Sequence, residues 1–267
     1  TTLLLAPLAA LHAAAPPVIS WTFDEARESG AVQPARERLD SLQGAIEFVP
    51  GVRGSGLKFD GFTSRLVRAA KDLPQFGPAL TVEAWIAPQE YSWAWTGIVD
   101  HDQDARAGFF LGLNHLGHVG FYASVDGQWL GCDSKEPLAL LKWVHVAGTF
   151  DPASGFTLYV NGQRAGAKAA NGNFKPAEGL DLLIGMAHRK QFPALTEREP
   201  SKRLLSNMVF DGLMDEVRIF NRALTAEEIK ASFMANQPAN AQPLQFRVLP
   251  SGPPGPRPPG STPARSE

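Results

Sequence analysis

Cysteine is nearly absent from this sequence, since Cys132 is alone among 267 residues. One cysteine cannot form a disulfide within the chain, and it cannot start a cysteine-based zinc site. We therefore expect Cys132 to be a small, buried hydrophobic side chain. A chain of this length can bury a full core without disulfides or metal ions, so a single compact module is possible.

An excess of charge of either sign is also lacking. The chain has 25 Lys and Arg against 27 Asp and Glu, for a formal net charge of −2. No run of basic residues is present, so the sequence offers no broad attraction to nucleic acid or to an anionic membrane. Aromatic residues make up only 9%, while 25 Gly and 22 Pro indicate many turns and few long helices.

Both ends of the chain differ in composition from its middle. Residues 3–11 are apolar, uncharged and too short to span a bilayer, and Ala- and Pro-rich residues follow them. We interpret residues 1–15 as a signal peptide remnant, which implies a secreted, periplasmic or extracellular protein with no membrane span in its mature form. Residues 237–267, rich in Pro and Gly, are predicted to be an extended linker to a downstream module. The alternatives are a buried N-terminal helix and a simple disordered tail.

Between residues 18 and 236 the pattern is one of short strands separated by turns. A single helix is predicted after Thr225, because Thr225 and Glu228 have the spacing of a capping box. Many short strands with one short helix favour an all-β, antiparallel sandwich. The predicted strands are 18–23, 45–49, 57–59, 80–86, 108–114, 118–124, 143–150, 156–160, 182–185 and 209–220.

Three segments of this region together resemble the laminin G-like jelly rolls of the concanavalin A-like lectin/glucanase superfamily, in their bacterial form. They are GSGLKFDG at 54–61 with EAWI at 83–86, WVHVAGTFD at 143–151 with LYVNG at 158–162, and FDGLMDEVRIFNRALT at 210–225. The resemblance implies a two-sheet jelly-roll β-sandwich over residues 18–236. It also implies a module of the kind that accompanies secreted bacterial enzymes or surface proteins and often binds glycans. Two segments depart from the family pattern: 189–207 is longer and more charged, and 25–40 is charged and favours a helix.

A structural Ca²⁺ ion is a further implication of the resemblance. The matching ligands are the carboxylates of Asp24 and Asp215 and the backbone carbonyl of Gly61, with Asp60 or Glu25 as substitutes. Oxygen ligands of this kind suit Ca²⁺. The alternative is that Asp24 and Asp215 only accept hydrogen bonds in turns.

Aromatic and polar residues in several predicted loops and strand ends suggest a glycan site, because an aromatic face can stack on a sugar ring while polar groups bind its hydroxyls. The two-residue spacing of Trp93 and Trp95 predicts that both lie on one face of a strand. The alternative is that these indoles pack in the core. The predicted ligand-binding residues are Trp93, Trp95, His101, Asp102, Arg106, Trp129, Asp133 and His188.

Residues 100–104, which alternate carboxylates with other residues, are interpreted as a solvated loop, with a second Ca²⁺ site as the alternative. The paired carboxylates that glucanases of this superfamily carry on one strand were not found, so no catalytic residue is predicted. The sequence favours a non-catalytic carbohydrate- or surface-binding module joined to a carbohydrate-active enzyme. The alternatives are a structural or protein-interaction domain without sugar affinity, and a glycoside hydrolase or polysaccharide lyase that uses His101, Arg106 or His188.

Overall fold

The computed structural model describes residues 15–24, 40–191 and 206–238. The predicted signal peptide, the predicted helix at 25–40 and the predicted linker therefore lie wholly or almost wholly outside the described residues. So does most of the charged segment 189–207. Within the described residues, no helix is long and apolar enough to cross a membrane.

Strands dominate the described part of the chain. A short 3₁₀ helix at Ala70–Asp72 and helix α1 at Ala226–Ala235 are the helical elements there. In chain order the strands are β1 (Ile19–Trp21), β2 (Asp40–Gln43), β3 (Glu47–Pro50), β4 (Ser55–Asp60), β5 (Arg65–Arg68), β6 (Leu80–Pro88), β7 (Thr96–Gln103), β8 (Ala107–Leu113), β9 (Val119–Val125), β10 (Gln128–Asp133), β11 (Val144–Asp151), β12 (Gly155–Val160), β13 (Gln163–Lys168), β14 (Leu182–Ile184), β15 (Met186–Gln191), β16 (Ser206–Val209) and β17 (Asp211–Phe220).

These strands form two large antiparallel sheets. The first has eight strands, in the order β13-β12-β11-β6-β17-β4-β3 with β1 paired to β17. The second has seven, in the order β10-β9-β8-β7-β14-β5-β2. A ribbon of two strands, β15 and β16, completes the fold, and β15 packs against β7. The predicted antiparallel two-sheet sandwich with one short helix is confirmed.

The core lies between the two large sheets. Strand β8 shows how the sequence builds it, because Phe109, Leu111 and Leu113 alternate with residues that face away from the core. Large buried side chains from both sheets fill the same cluster, among them Phe59, Phe109, Phe121, Phe150 and Phe156. Cys132 packs against this cluster as a partly buried residue.

Two predictions about the strands need correction. The predicted strand 209–220 is interrupted at Phe210, so its residues belong to β16 and β17, in different sheets. Residues 100–104 are not a solvated loop, since 100–103 end strand β7 and only Asp104 lies in the following turn. The charges of these residues predict solvent exposure, whereas Asp100 and Asp102 are buried.

Helix α1 begins at the predicted capping box. The Thr225 hydroxyl accepts from the Glu228 amide at 3.2 Å, and the Glu228 carboxylate accepts from the Thr225 amide at 2.9 Å. The helix covers the outer face of the eight-stranded sheet, where Phe233 stacks on Trp85 with ring centroids 5.6 Å apart. Capping thus positions the helix over buried side chains of the sheet.

Glu83 on β6 is the buried charge beneath this helix. Its carboxylate lies 3.3 Å from His145 Nε2 and 3.1 Å from the Arg218 guanidinium, and it accepts from the Ser232 hydroxyl of helix α1 at 2.9 Å. Burial alone raises the pKa of Glu83, but His145, Arg218 and Ser232 together hold it below its usual value. His145 is therefore a structural residue, as the sequence predicted.

We expect Glu83→Gln to lower the free energy of unfolding by about 2 kcal/mol. The variant loses charge-assisted hydrogen bonds to Arg218 and Ser232 in a buried site, while Arg218 keeps its ion pair with Glu216. The matched control is Glu47→Gln, which breaks the exposed pair with Lys58 and is expected to cost less than about 1 kcal/mol. Urea unfolding of both variants measures the difference. Equal losses would contradict a stabilising role for the buried network.

Candidate functional site

A pocket of about 200 Å³ opens on the outer face of the seven-stranded sheet. Aromatic rings, two carboxyl groups and one guanidinium group line it. The lining residues are Trp95, Asp100, Asp102, Phe110, Tyr122, Trp129, Ala187 and Arg189.

The floor of the pocket follows from the register of four neighbouring strands. Asp100 on β7 pairs with Phe110 on β8, Phe110 pairs with Tyr122 on β9, and Tyr122 pairs with Gly131 on β10. Side chains at paired positions point to the same face of a sheet. Asp102 joins this face because it follows Asp100 by two residues. One row across the sheet thus places a carboxyl group next to two aromatic rings.

Glycines make room for the rings on this face. The clearest case is Gly120, where a Cβ atom would lie 2.6 Å from the Trp95 ring and 2.6 Å from the Asp133 carboxylate. A Cβ atom at Gly112 or Gly131 would likewise lie only 2.1 Å or 2.5 Å from a neighbouring ring, that of Phe110 or Tyr122. The rings therefore lie directly against bare backbone, which no other residue type would allow.

The four aromatic residues contact one another in series. Trp95 meets Phe110 and Tyr122 edge to face, with centroids 5.9 Å and 5.6 Å apart. Tyr122 and Trp129 are stacked, with centroids 6.4 Å apart and planes within 7° of parallel. A surface of this kind can pack against the apolar face of a sugar ring.

Arg189 on β15 borders the pocket on one side. Its Nε atom lies 2.7 Å from the Asp102 carboxylate, and its guanidinium lies 5.8 Å from the centroid of the Trp129 ring. Both contacts are favourable for a cation. Arg189 thus reaches from β15 across to β7 and to β10, and its side chain remains 45% exposed.

Asp100 is the most deeply buried polar residue of the pocket, with 1% of its surface exposed. Its carboxyl group accepts hydrogen bonds from the backbone amides of Asp102 at 2.7 Å and His188 at 2.8 Å. Burial raises its pKa to about 8, so at neutral pH the group is mostly protonated. Burial also raises the pKa of Asp102, although Arg189 opposes the shift. The pocket therefore combines a neutral carboxylic acid with an ion pair.

The structure brings together part of the predicted glycan site. Trp95, Asp102 and Trp129 line the pocket. Asp133 lies beside them, where its carboxylate accepts from the Tyr122 hydroxyl at 2.5 Å. Trp93 does not join them, because residues 89–95 connect β6 to β7 and do not form a strand, so the two-residue rule does not apply. Its indole is 65% exposed outside the pocket.

His101 faces the opposite way from the pocket. It alternates with Asp100 and Asp102 on β7, so its ring enters the core, where it packs against Phe76 and Phe109. Its Nε2 atom lies 3.0 Å from the Leu180 carbonyl. Burial lowers the pKa of His101 to about 4. His101 is thus a neutral core residue, and its prediction as a ligand-binding residue needs correction.

Arg106 and His188 also lie apart from the pocket lining. Arg106 belongs to the turn between β7 and β8 and borders a separate, open groove with Lys175 and Glu178. His188 directs Nε2 to the Asp181 carbonyl at 2.8 Å, and burial lowers its pKa. His188 lies close enough to His101 to lower its pKa. The two rings contact the neighbouring carbonyls of Asp181 and Leu180, which gives both histidines a structural role.

Five lining residues were not predicted: Asp100, Phe110, Tyr122, Ala187 and Arg189. Phe110 and Tyr122 were read only as parts of strands, although glycines stand two residues away in each. Alternation of large rings with glycine on one strand face is the signal that could have revealed them. On β15 the predicted set contains His188 and not its neighbour Arg189, because the packing of this ribbon on β7 determines which of the two side chains lines the pocket.

The predicted calcium ligands do not converge. Asp24 accepts from the Ser55 amide at 2.8 Å and Asp215 from the Arg53 amide at 3.1 Å, so both carboxylates contact the loop before β4. Gly61 follows the other end of β4, roughly 20 Å from Ser55 at the usual rise of an extended strand. Gly61 cannot share an ion with the other two residues, and that part of the prediction needs correction.

The substitute ligands do not restore the set. The Asp60 carboxylate is occupied by its own turn, where it accepts from the amides of Phe62, Thr63 and Ser64. Glu25 lies outside the described residues. Within residues 15–24, 40–191 and 206–238, no group of three or more His, Cys, Asp or Glu side chains is placed to hold an ion.

Comparison with protein families agrees with this architecture. A laminin G-like family model matches residues 63–230, which include most strands of both sheets. The chain belongs to the concanavalin A-like lectin/glucanases superfamily. A search of the curated proteins finds no match.

Solved structures with a similar fold include domains of larger proteins. Domain 4 of AbnA, an extracellular arabinanase from Geobacillus stearothermophilus, in complex with arabinotriose, has a TM-score of 0.57 at 15% identity, over 81% of this chain and 97% of that domain. The binding domain of Paraclostridial Mosquitocidal Protein 1 has a TM-score of 0.55 at 14% identity, over 73% and 47%. The binding domain of botulinum neurotoxin DC in complex with SialylT has a TM-score of 0.54 at 14% identity, over 74% and 46%. The chain thus spans about half of each toxin binding domain.

We expect the stability of the protein to depend on the protonation of Asp100. Its raised pKa means that the folded state holds the proton more tightly, so this contribution falls as pH rises from about 4 towards about 8. Asp100→Asn cannot accept one of the two amide hydrogen bonds, so the variant is less stable than the natural protein at low pH. Because asparagine does not titrate, the variant does not lose stability at this position as the pH rises. The stability advantage of the natural protein over the variant should therefore shrink by at most about 1.4 kcal/mol per pH unit.

Urea unfolding of both proteins between pH 5 and pH 8 measures this difference. Other groups with shifted pKa values, such as His101 and Asp215, are common to both proteins and cancel in the comparison. A stability difference that stays constant with pH would contradict a protonated Asp100.

Proposed function

We propose that this chain is a non-catalytic carbohydrate-binding module of a secreted bacterial protein, attached to a carbohydrate-active enzyme. The observation that carries the proposal is the aromatic pocket, in which the stacked rings of Tyr122 and Trp129 lie next to polar groups. The arabinanase domain that this chain resembles was solved with arabinotriose. The likeness supports an accessory role for a module of this fold.

The pocket offers a complementary group for each part of a sugar. The stacked rings of Tyr122 and Trp129 pack against the C–H face, while Asp100, when protonated, donates to a hydroxyl oxygen. Asp102 and Asp133 accept from sugar hydroxyls. Each partner is held in place before the ligand arrives, which reduces the entropy lost on binding.

Attachment to an enzyme would give such a module a simple role. A module that holds a polysaccharide keeps the linked catalytic domain near the chain and raises the effective concentration of substrate. A small pocket of moderate affinity is sufficient for this purpose, because the linked binding events reinforce each other.

One observation favours glycoside hydrolysis as a second candidate. Asp100 and Asp102 combine a protonated and an ionised carboxyl group, an arrangement found in acid–base catalysis. However, each is buried, and each accepts hydrogen bonds from backbone amides. These contacts favour a structural and binding role for the pair over proton transfer to a substrate.

We expect Trp129→Ala to weaken glycan binding by at least roughly tenfold, or about 1.4 kcal/mol, because it removes the ring that stacks on Tyr122. Trp93→Ala is the matched control, since this exposed indole lies outside the pocket. A glycan array followed by titration calorimetry on the best ligand, with arabinotriose included, measures both variants.

The same experiment separates the alternatives. Absence of binding to every glycan would favour a structural or protein-interaction domain. Turnover on a panel of polysaccharides that disappears in Asp100→Asn or Asp102→Asn would establish a hydrolase. Glycan binding that neither tryptophan variant weakens would place the binding site elsewhere on the surface.

Calcium remains a separate proposal, restricted to the end of β4 where Asp24 and Asp215 contact one loop. Burial raises the pKa of Asp215 to about 7, and a cation there would favour its ionised form. Backbone and water oxygens would have to complete the coordination.

We expect millimolar Ca²⁺ to raise the melting temperature relative to EDTA, and Asp215→Asn to abolish the increase, since binding to the folded state alone stabilises it. Thermal unfolding followed by circular dichroism measures this. Asp211→Asn is the control, because Asp211 lies at the Gly61 end of β4. A melting temperature unaffected by Ca²⁺ would eliminate the site.

A further inference from the structure

We infer that the pocket binds a single uncharged sugar unit at the end, or on a branch, of a glycan and does not bind the middle of a long chain. This inference rests on the proposed function and narrows it to a ligand class. It is carried by the size of the pocket, its borders and its charges.

The size of the pocket sets the first limit. Its volume is about 200 Å³, which is below the range of roughly 300–1,000 Å³ that is usual for small-molecule sites. One sugar ring with its hydroxyls fits this space, whereas several linked rings do not.

The borders of the pocket set the second limit. Trp95 packs over Gly120 near one end of β9, while Trp129 pairs with Ser124 near the other. These two positions on β9 are separated by roughly 13 Å along the strand. A chain that followed β9 would therefore meet an indole at each end of the pocket.

Arg189 closes a third side. It extends from β15 to the Asp102 carboxylate and to the face of Trp129. A glycan chain that crossed the strands in this direction would have to break the ion pair between Arg189 and Asp102. Because Asp102 is only 2% exposed, this would leave a buried charge without its partner and would reduce the net free energy of binding. Among the described residues, Trp95, Trp129 and Arg189 border the pocket laterally, which suits a unit that enters end-on from outside the sheet.

The charges set the last condition. Two carboxyl groups, Asp100 and Asp102, face the pocket, and Asp133 lies at its border. Arg189 is the positively charged group among the described lining residues, and it is already paired with Asp102. A uronate would place its negative charge near the Asp133 carboxylate, while the lining guanidinium of Arg189 is already paired with Asp102, so an uncharged sugar is favoured.

The experiment is titration calorimetry with gluco-, galacto-, xylo- and arabino-oligosaccharides of increasing length, alongside glucuronate and galacturonate. We expect the affinity for the series that binds to change by less than about threefold beyond the second unit. We also expect the matching uronate to bind at least roughly tenfold more weakly, which is about 1.4 kcal/mol.

A second readout uses an intact linear polysaccharide, which carries terminal sugar units at its chain ends and has no branches. Brief digestion with an endo-acting hydrolase creates new chain ends without changing the mass, so the binding capacity per gram should rise in proportion to the ends. A site for internal segments would instead keep or lose capacity as the chains shorten.

Trp93→Ala is the control that distinguishes end-on binding of one sugar unit from binding of an extended chain. Its exposed indole, in the loop that leads to Trp95, would support an extended chain if one were bound across this surface. We expect the variant to bind every chain length as the natural protein does. An affinity that rises with length and falls in Trp93→Ala would overturn the inference and leave the proposed function standing. Absence of binding to any glycan would overturn both.

Discussion

The close approach of aromatic rings to bare backbone is the constraint on which the candidate site depends. At Gly112, Gly120 and Gly131 a single added carbon atom would overlap a ring or its neighbours. The sheet therefore gives up side-chain packing and strand propensity at these positions. In return the rings lie directly against the backbone of the sheet at these positions, and together they line the pocket on its outer face.

The outer face of one large sheet is covered by a helix, whereas the outer face of the other carries the pocket. On the eight-stranded sheet, helix α1 covers the outer face, and Glu83, His145 and Arg218 form a buried network beneath it. On the seven-stranded sheet, the ribbon of β15 and β16 packs mainly along β7, and it leaves β8, β9 and β10 open towards the pocket. Since the first face is occupied by the protein itself, the second is the face at which the fold offers a ligand both rings and polar groups.

The sequence contained enough information for the fold, but only for part of the site. Period-two alternation identified strands such as β6, β8 and β11, because their apolar residues face the core. It failed for β7, where Asp100 and Asp102 resemble a solvated loop although the strand buries them. Trp95, Asp102 and Trp129 were identified by residue type alone. By the same criterion, His101 was assigned to the wrong face, since residue type does not tell which side of a strand a side chain occupies.

Long-range packing accounts for the rest of the site. Arg189 reaches the pocket because β15 packs on β7, a contact that no local pattern encodes. Two links tie the ribbon to the floor of the pocket: the His188 amide donates to Asp100, and the Arg189 guanidinium pairs with Asp102. The same two carboxyl groups that a ligand would meet therefore also hold one border of the pocket in place. Because the two roles share these side chains, a change in the protonation of either carboxyl group alters the shape of the pocket together with its charge. The carboxyl groups that would recognise a ligand in the proposed site are thus the same groups that anchor β15.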